Sequence, residues 1–413
     1  MSKGIILCYI LIRKRGSDMM SINTKCRVLQ GTYCALLCIA LSFNTYYLEE
    51  AGFSDRVIGI FIASSCTLGS ILQFAAGRLA DTKEKYNWKN QLAVLAAAQT
   101  LVSALLYFTD SRFMTSILYM LMMMLVLPMM PLINRSGFYY TERGIPVDFG
   151  VARGIGSLTF ALMSFTAGRF TVLWGSRVVP LLAFASVILF MITTLSMPMM
   201  DGESGSRGKA SESTPLKELT GKYPVFFRSV IGIFLMLLFH NGINTYMIKI
   251  VSYAGGGSGS MGAALGIAAF AEIPLMFLYS RMTKGRKVRD INMVSLAGAI
   301  FVLRGIFYLL ASNVYVVFAI QLLQGISFGI LIAAKANYAN ESMEAEDQSS
   351  GQSLVALTES FGTIMGGLLG GFLLDRGGVP AMLIVFTLAA AAGTLITILS
   401  GRASEKADKK MTK

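Results

Sequence analysis

This sequence predicts an all-α polytopic membrane fold of twelve transmembrane helices arranged as two related six-helix bundles, and three observations lead there. Only 14% of the 413 residues are charged while 54% are hydrophobic, whereas a soluble domain carries roughly a quarter charged residues. The shortfall is concentrated in uncharged runs of about 18–25 residues, the length a helix needs at 1.5 Å per residue to cross about 30 Å of hydrocarbon. Of the 36 Lys and Arg, 28 fall in loops and adjoining span ends on one side of the membrane and 6 in those on the other, with Arg153 and Arg304 assigned to neither.

Residues 1–25 are expected to form a cytoplasmic tail. The apolar patch Ile5 to Ile12 is too short to span, and Arg13, Lys14 and Arg15 follow it, whereas a signal peptide's basic residues come first. Met19 and Met20 are candidate starts. The first bundle, 26–200, holds spans at 28–48, 57–80, 92–109, 113–133, 149–173 and 178–197. A cytoplasmic linker, 201–223, opens with the flexible run Gly202-Glu-Ser-Gly-Ser-Arg-Gly. The second bundle, 224–400, holds spans at 224–251, 261–279, 291–311, 314–334, 353–374 and 379–399, and a basic cytoplasmic tail, 401–413, closes the chain. The positive-inside rule places both termini in the cytoplasm and requires an even number of spans, in the plasma membrane. Asn44-Thr45-Tyr46 in span 1 recurs as Asn244-Thr245-Tyr246 in span 7, and both second spans end in a basic loop. Equal span counts and equal loop signs make the halves read as repeats.

Several function classes are excluded. The net charge of +13 sits in short loops and forms no groove or stripe, so a nucleic-acid partner is not expected. Cys8, Cys26, Cys34, Cys38 and Cys66 show no Cys-x-x-Cys spacing, which leaves small buried hydrophobes rather than a metal site or disulfide framework. The single His, His240, has no second His and no acid four residues away, so neither a metal centre nor a catalytic triad is formed, and no enzyme or cofactor is expected. There is no Gly-x-x-x-x-Gly-Lys-Ser/Thr loop for direct use of ATP.

The polar residues inside the spans carry the functional reading. A charge at the bilayer centre costs about 2.5–3.5 kcal/mol on insertion scales, so each one kept there needs a partner or a watery cavity. Arg153, Glu272, Arg304 and Glu359 lie within spans, and His240 and Lys249 lie in span 7. Glu272 and Arg304, on helices joined by a short loop, are the expected ion pair. Polar residues recur at helical period: Ser42, Thr45 and Glu49 in span 1, His240, Asn241 and Asn244 in span 7, Gln321, Gln324 and Ser327 in span 10, and Gln352, Glu359 and Thr363 in span 11. Interhelical hydrogen bonding and static ion pairs are the alternative reading; four such stripes together point to a polar central cavity.

These residues resemble the major facilitator superfamily, in the branch that contains lactose permease and the nucleoside and phenylpropionate permeases. Gly77-Arg78-Leu79-Ala80-Asp81 is similar to the start of the family's Gly-x-Leu-Ala-Asp loop, which implies gating at Gly77 and Asp81. Phe149-Gly150-Val151-Ala152-Arg153-Gly154-Ile155-Gly156-Ser157 resembles a signature whose arginine contacts substrate, a role that would fall on Arg153. Asn134 stands where the partner acid on helix 4 is found in lactose permease. Glu272-Ile273-Pro274 and Arg304 resemble segments that bind substrate and couple protons, while Gln324 and Ser327 replace the familiar His and Glu of span 10.

The function expected is secondary active transport of a small polar solute (a sugar, nucleoside or small organic acid) by alternating access, with proton symport, by a monomer. Arg153, Asn134, Asn244, His240, Gln324, Arg304 and Tyr46 are the candidate substrate-binding residues, and Glu272, Arg304 and Glu359 the candidate proton-coupling residues. Drug or metabolite efflux by antiport is the alternative, ranked lower because the segment from Gly154 to Gly168 lacks the proline of exporter motifs. A non-transporting sensor of the same fold ranks below that.

Overall fold

The computed structural model describes residues 22–82, 87–200, 216–283 and 289–411. The tail before Ile22, with Cys8 and the candidate starts, lies outside the described residues, as do 201–215 of the linker and the loop stretches 83–86 and 284–288. The chain is nearly all helical, with no strand among the described residues, as an apolar solvent demands of any chain whose backbone groups must be satisfied within each span.

In the first half, α1 (Ile22–Ser42) bends by 46° into α2 (Asn44–Glu50), followed by α3 (Asp55–Thr82), α4 (Trp88–Phe108), α5 (Arg112–Val126), α6 (Met129–Thr141), α7 (Phe149–Trp174) and α8 (Val178–Ser196). A short α9 (Leu216–Lys222) precedes the second half: α10 (Pro224–Thr245), α11 (Met247–Tyr253), α12 (Ser258–Thr283), α13 (Asp290–Leu309), α14 (Val314–Gln324), α15 (Ile330–Ser342) and α16 (Gln348–Met411). Among the described residues, nine helices are long and apolar enough to span, or ten with the bent α1–α2 pair. α16 runs for 64 residues and is broken at Gly378, whose backbone is not helical, which divides it into two spans. α7 is long enough at 26 residues, but its arginines, glycines and hydroxyls dilute its apolarity. With these two, the count reaches the expected twelve.

Local chemistry sets the ends. Asn87, Asp148 and Asn313 accept backbone N–H groups of the first turns of α4, α7 and α14, the usual service of an N-cap side chain. Pro224 opens α10, where its missing N–H costs nothing. Pro128 separates α5 from α6 because proline removes a helix hydrogen bond. Two π-helical turns, Cys38–Ser42 at the end of α1 and Gly325–Gly329 between α14 and α15, lie beside the cavity described below.

The backbone records the internal repeat more sharply than the sequence does. Gly175, between the fifth and sixth spans, and Gly378, between the eleventh and twelfth, share one left-handed conformation (φ 70° and 65°, ψ −166° in both). Gly52 and Gly255 match in the same way at the first and seventh spans, with φ 83° and 82°. The seven-residue helices α2 and α11 occupy equivalent places.

We call the end of the bundle nearest α9 the linker face and the opposite end the far face. The halves meet along α3–α16 and α7–α12, two helix crossings related by the repeat. Both are made of glycine. A Cβ on Gly262 would stand 2.4 Å from the Ser164 carbonyl oxygen, and one on Gly371 2.3 Å from that of Asp55. Bonds between the halves cluster at the far face: Lys249 Nζ reaches Glu49 Oε1 at 2.7 Å and Asp55 Oδ1 at 2.8 Å, and Thr45 Oγ1 donates to the Thr245 carbonyl at 2.7 Å. The linker face is braced within each half. Lys25 donates to the Ser196 carbonyl and Lys89 to that of Met197, while Lys222 binds Glu344 and Asp347.

The run expected to be flexible, Gly202 to Gly208, lies outside the described residues; the end of the linker folds as α9, which buries Leu219, and its Lys222 is clamped. Hydrogen bonds to Glu344 and Asp347, with the Tyr223 hydroxyl beside them, hold that ammonium above the usual lysine range.

Substituting Gly262→Val tests the seam. The added side chain requires the α7 and α12 backbones to separate by about 1 Å to restore van der Waals distance. Spin labels at Ser111→Cys and Ser312→Cys, two exposed far-face positions on opposite halves, are expected to move apart in an otherwise cysteine-free protein. An unchanged distance distribution would show that the glycine contact does not hold the far face shut.

Candidate functional site

At mid-depth the halves enclose a cavity of about 240 Å³. The first half contributes an apolar wall of Leu37, Leu41, Ile62 and Phe160, with Ser42, Asn44, Ser157 and Arg153 as its polar members. The second half contributes most of the polar surface: His240, Asn241 and Asn244 from α10, Glu272 from α12, Gln324, and Glu359 and Thr363 from α16.

Arg153 sits one turn into α7, just past the Asp148 cap. α7 approaches α1 closely there because position 156 is glycine: a Cβ on Gly156 would stand 2.8 Å from Cys34 Sγ. The Arg153 guanidinium lines the central cavity and also a second one that holds Asn134, Gln30 and Phe149 and runs toward the linker face. Among the described residues it has no hydrogen-bond or ion-pair partner; Glu272 lines the same cavity from the other half.

The expected direct pair between Glu272 and Arg304 is not formed. Arg304 is fully buried, at 0% exposure, behind the cavity wall. Its Nη1 donates to Ser327 Oγ (3.1 Å), and its Nη2 to Gln321 Oε1 (3.1 Å) and Gln324 Oε1 (2.8 Å), with the Tyr308 hydroxyl at 3.4 Å. Gln324 then turns its Nε2 outward and donates to Glu272 Oε1 at 2.9 Å. An amide therefore stands between guanidinium and carboxyl, and Glu272 faces the cavity while Arg304 does not. The π turn that begins after Gln324 sets this register.

The second acid also has a partner that the sequence left in a loop. Lys335 Nζ lies 2.5 Å from Glu359 Oε2, the lysine 7% and the glutamate 40% exposed in their side chains. α15 continues to Ser342, so Lys335 is inside the bundle. It lies eleven residues, about three turns, after Gln324, and that spacing was the signal available. On α10, His240 stacks flat on Phe328, ring centroids 3.8 Å apart and 9° from parallel. Its Nε2 pairs with Asn244 Nδ2 at 3.0 Å, while His240 Nδ1 and Asn244 Oδ1 are buried without a protein partner. Asn241 Nδ2 donates to the Glu359 carbonyl, tying α10 to α16 at the same level.

Of the candidate residues, Arg153, His240, Asn244, Glu272, Gln324 and Glu359 line the central cavity. Asn134 lines only the second one. Tyr46 stands elsewhere, at the far seam in a hydrogen bond with Ser258. Gly77 has open space where a Cβ would point, with nothing within 4 Å, and the Asp81 side chain lies outside the described residues. Gln352 bonds to Ala336 and Asn340 near the linker face. Asn44 and Lys335 were not among the sequence-derived candidates, and Asn241 was read only as part of the span 7 stripe.

The sequence pattern of the MFS_1 like family matches residues 32–384. A transporter of Bacillus subtilis (strain 168), YwbF, described as uncharacterized, is 21% identical over 362 residues, covering 86% of this chain and 87% of its own. The maltose permease of Geobacillus stearothermophilus is 26% identical over 369 residues, covering 86% and 88%. Among solved structures, a mutant of the nucleoside transporter NupG superimposes with a TM-score of 0.73 at 14% identity, covering 92% of this chain and 99% of that one. A bacterial homolog of the human lysosomal transporter Spinster, in an inward-facing and occupied conformation, superimposes with a TM-score of 0.66 at 12% identity, covering 94% and 97%. At these identities the two structures show a shared fold.

The amide bridge gives a stability prediction. Gln324→Leu removes an acceptor from a buried guanidinium and the donor from Glu272, and is expected to cost about 2–3 kcal/mol, the upper range for orphaned buried groups. Unfolding of the purified variant in detergent measures this. A midpoint equal to the parent's would mean that the bridge is not a structural necessity.

Proposed function

The chain belongs to the MFS_1 like family, a family of transporters rather than enzymes, and from that premise we propose that it is a proton-coupled symporter that moves a small polar solute across the plasma membrane by alternating access. One observation carries the reading: a mid-depth cavity between two repeats, sealed at the far face, with an unpartnered arginine on one wall and two carboxyl groups on the other. Rocking of two bundles about a fixed central site is how such repeats transport. The linker face is then the cytoplasm, the conformation described is closed to the outside, and the bundles 26–200 and 224–400 are the rocking bodies. Each chain holds a complete site, which fits action as a monomer.

Arg153 and the amides of Asn244 and Gln324 are the proposed solute contacts, and Glu272 is the proposed proton carrier. It borders the cavity, where solute and water reach it, and Gln324 connects it to the charge of Arg304. Glu359, tied to Lys335, is the second carboxyl. Arg304 acts from behind the wall, through Gln324, and does not touch the solute.

Glu272→Gln is expected to abolish accumulation of solute against its gradient while exchange of labelled for unlabelled solute survives. Proteoliposomes under an imposed proton gradient, screened with labelled hexoses, nucleosides and small organic acids, read both activities. Full uphill accumulation by the variant would remove Glu272 from the coupling step.

A further inference from the structure

Resting on the transport reading above, we propose that the solute is a small organic monoanion whose acid group docks on Arg153. The argument is a charge balance. The side chains that line or back the cavity include three cations, Arg153, Arg304 and Lys335, against two carboxyls, Glu272 and Glu359. Lys335 is paired with Glu359, and Arg304 is linked to Glu272 through Gln324. The excess positive charge is therefore seated on Arg153, and Asn134 beside it in the second cavity supplies no acid.

An uncompensated charge at this depth is costly unless something neutralises it. A neutral sugar or nucleoside would displace water from Arg153 and leave the excess in place, whereas a monoanion cancels it. Guanidinium also presents a planar fork that matches a carboxylate with two parallel hydrogen bonds. Protonation of either glutamate raises the excess further, so proton and anion favour one another's binding by linkage. The remainder of the solute is bounded by a cavity of about 240 Å³, with Leu37, Leu41 and Phe160 on one side and the His240–Asn244 pair on the other. That space suits a body the size of one small ring or short chain, partly apolar, with a hydroxyl or carbonyl for the unpartnered His240 Nδ1 or Asn244 Oδ1.

The test uses matched pairs that differ in charge: D-glucuronate against D-glucose, and benzoate against benzamide, added to the purified full-length protein in lipid nanodiscs. At least one carboxylate is expected to raise the melting temperature while its neutral counterpart does not. Arg153→Gln should weaken that carboxylate's apparent affinity at least about tenfold, with Arg153→Lys intermediate because it keeps the charge and loses the fork. If no carboxylate shifts the melting temperature, or the neutral members shift it equally, the anion assignment falls. The same holds if Arg153→Gln binds the carboxylate as tightly as the parent. Accumulation of a neutral solute by proteoliposomes under a proton gradient would also overturn it and leave the transport reading standing. Carboxylate binding with no movement of that solute in any gradient would sink the transport reading instead.

Discussion

Everything at the centre of this molecule is arranged around Arg304, a guanidinium with no exposed surface in the middle of an apolar bundle. Leaving one partner of a buried charge unsatisfied costs several kcal/mol, so the chain supplies Ser327, Gln321, Gln324 and Tyr308 as acceptors or neighbours from α13, α14 and the π turn. That requirement fixes the rotation of the tenth span. The π turn in turn presents Phe328 to His240, and the same span carries Lys335 to Glu359. Four spans are thus registered against one another by one buried cation, and the polar wall of the cavity follows from that registration.

The apolar wall obeys a different constraint. The first half meets the second through glycines, where backbone lies against backbone, and through a few bonds at the far face. Small-residue seams of this kind let helices pack closely without side-chain interdigitation. The contrast between a second half locked by hydrogen bonds and a seam held by glycine and Lys249 places rigidity inside each bundle and compliance between them. That is the distribution a rocking mechanism needs, since motion at a smooth seam breaks few buried polar contacts. The paired conformations of Gly175 and Gly378, and of Gly52 and Gly255, show the same frame in both bodies.

The spans were legible in the sequence because an apolar run of bilayer length has few other uses, and even the break at Gly378 falls between the runs 353–374 and 379–399. The depth of the polar residues was legible too, since any charge retained there must meet water or a partner. The identity of that partner was not. Whether Arg304 reaches Glu272 directly depends on one interposed side chain, Gln324, and on a π turn that no periodicity announces. Lys335 went unread because the apolar run stops at Ala334 while the helix does not. Tyr46 shares a motif with cavity-lining Asn44 but stands at the far seam; the three-residue repeat shows kinship between halves, not a shared chamber.

The interposed amide is also what makes the site chemically usable. A direct guanidinium–carboxylate contact would commit both groups: a proton arriving on the acid would break a charge-assisted pair and leave Arg304 short of an acceptor. Gln324 removes that conflict. Its Oε1 accepts from Arg304 whatever happens at Glu272, and its Nε2–H can donate equally to a carboxylate or to the carbonyl oxygen of a carboxylic acid. Arg304 therefore keeps its bond to Gln324 in either protonation state of Glu272, and a proton exchanged there under the proposed coupling would do so on the side that faces the cavity. On the coupling proposed above, glutamine at position 324 costs no proton route: the titrating role falls on one carboxyl, and the amide holds its bond to the buried guanidinium while that carboxyl changes state.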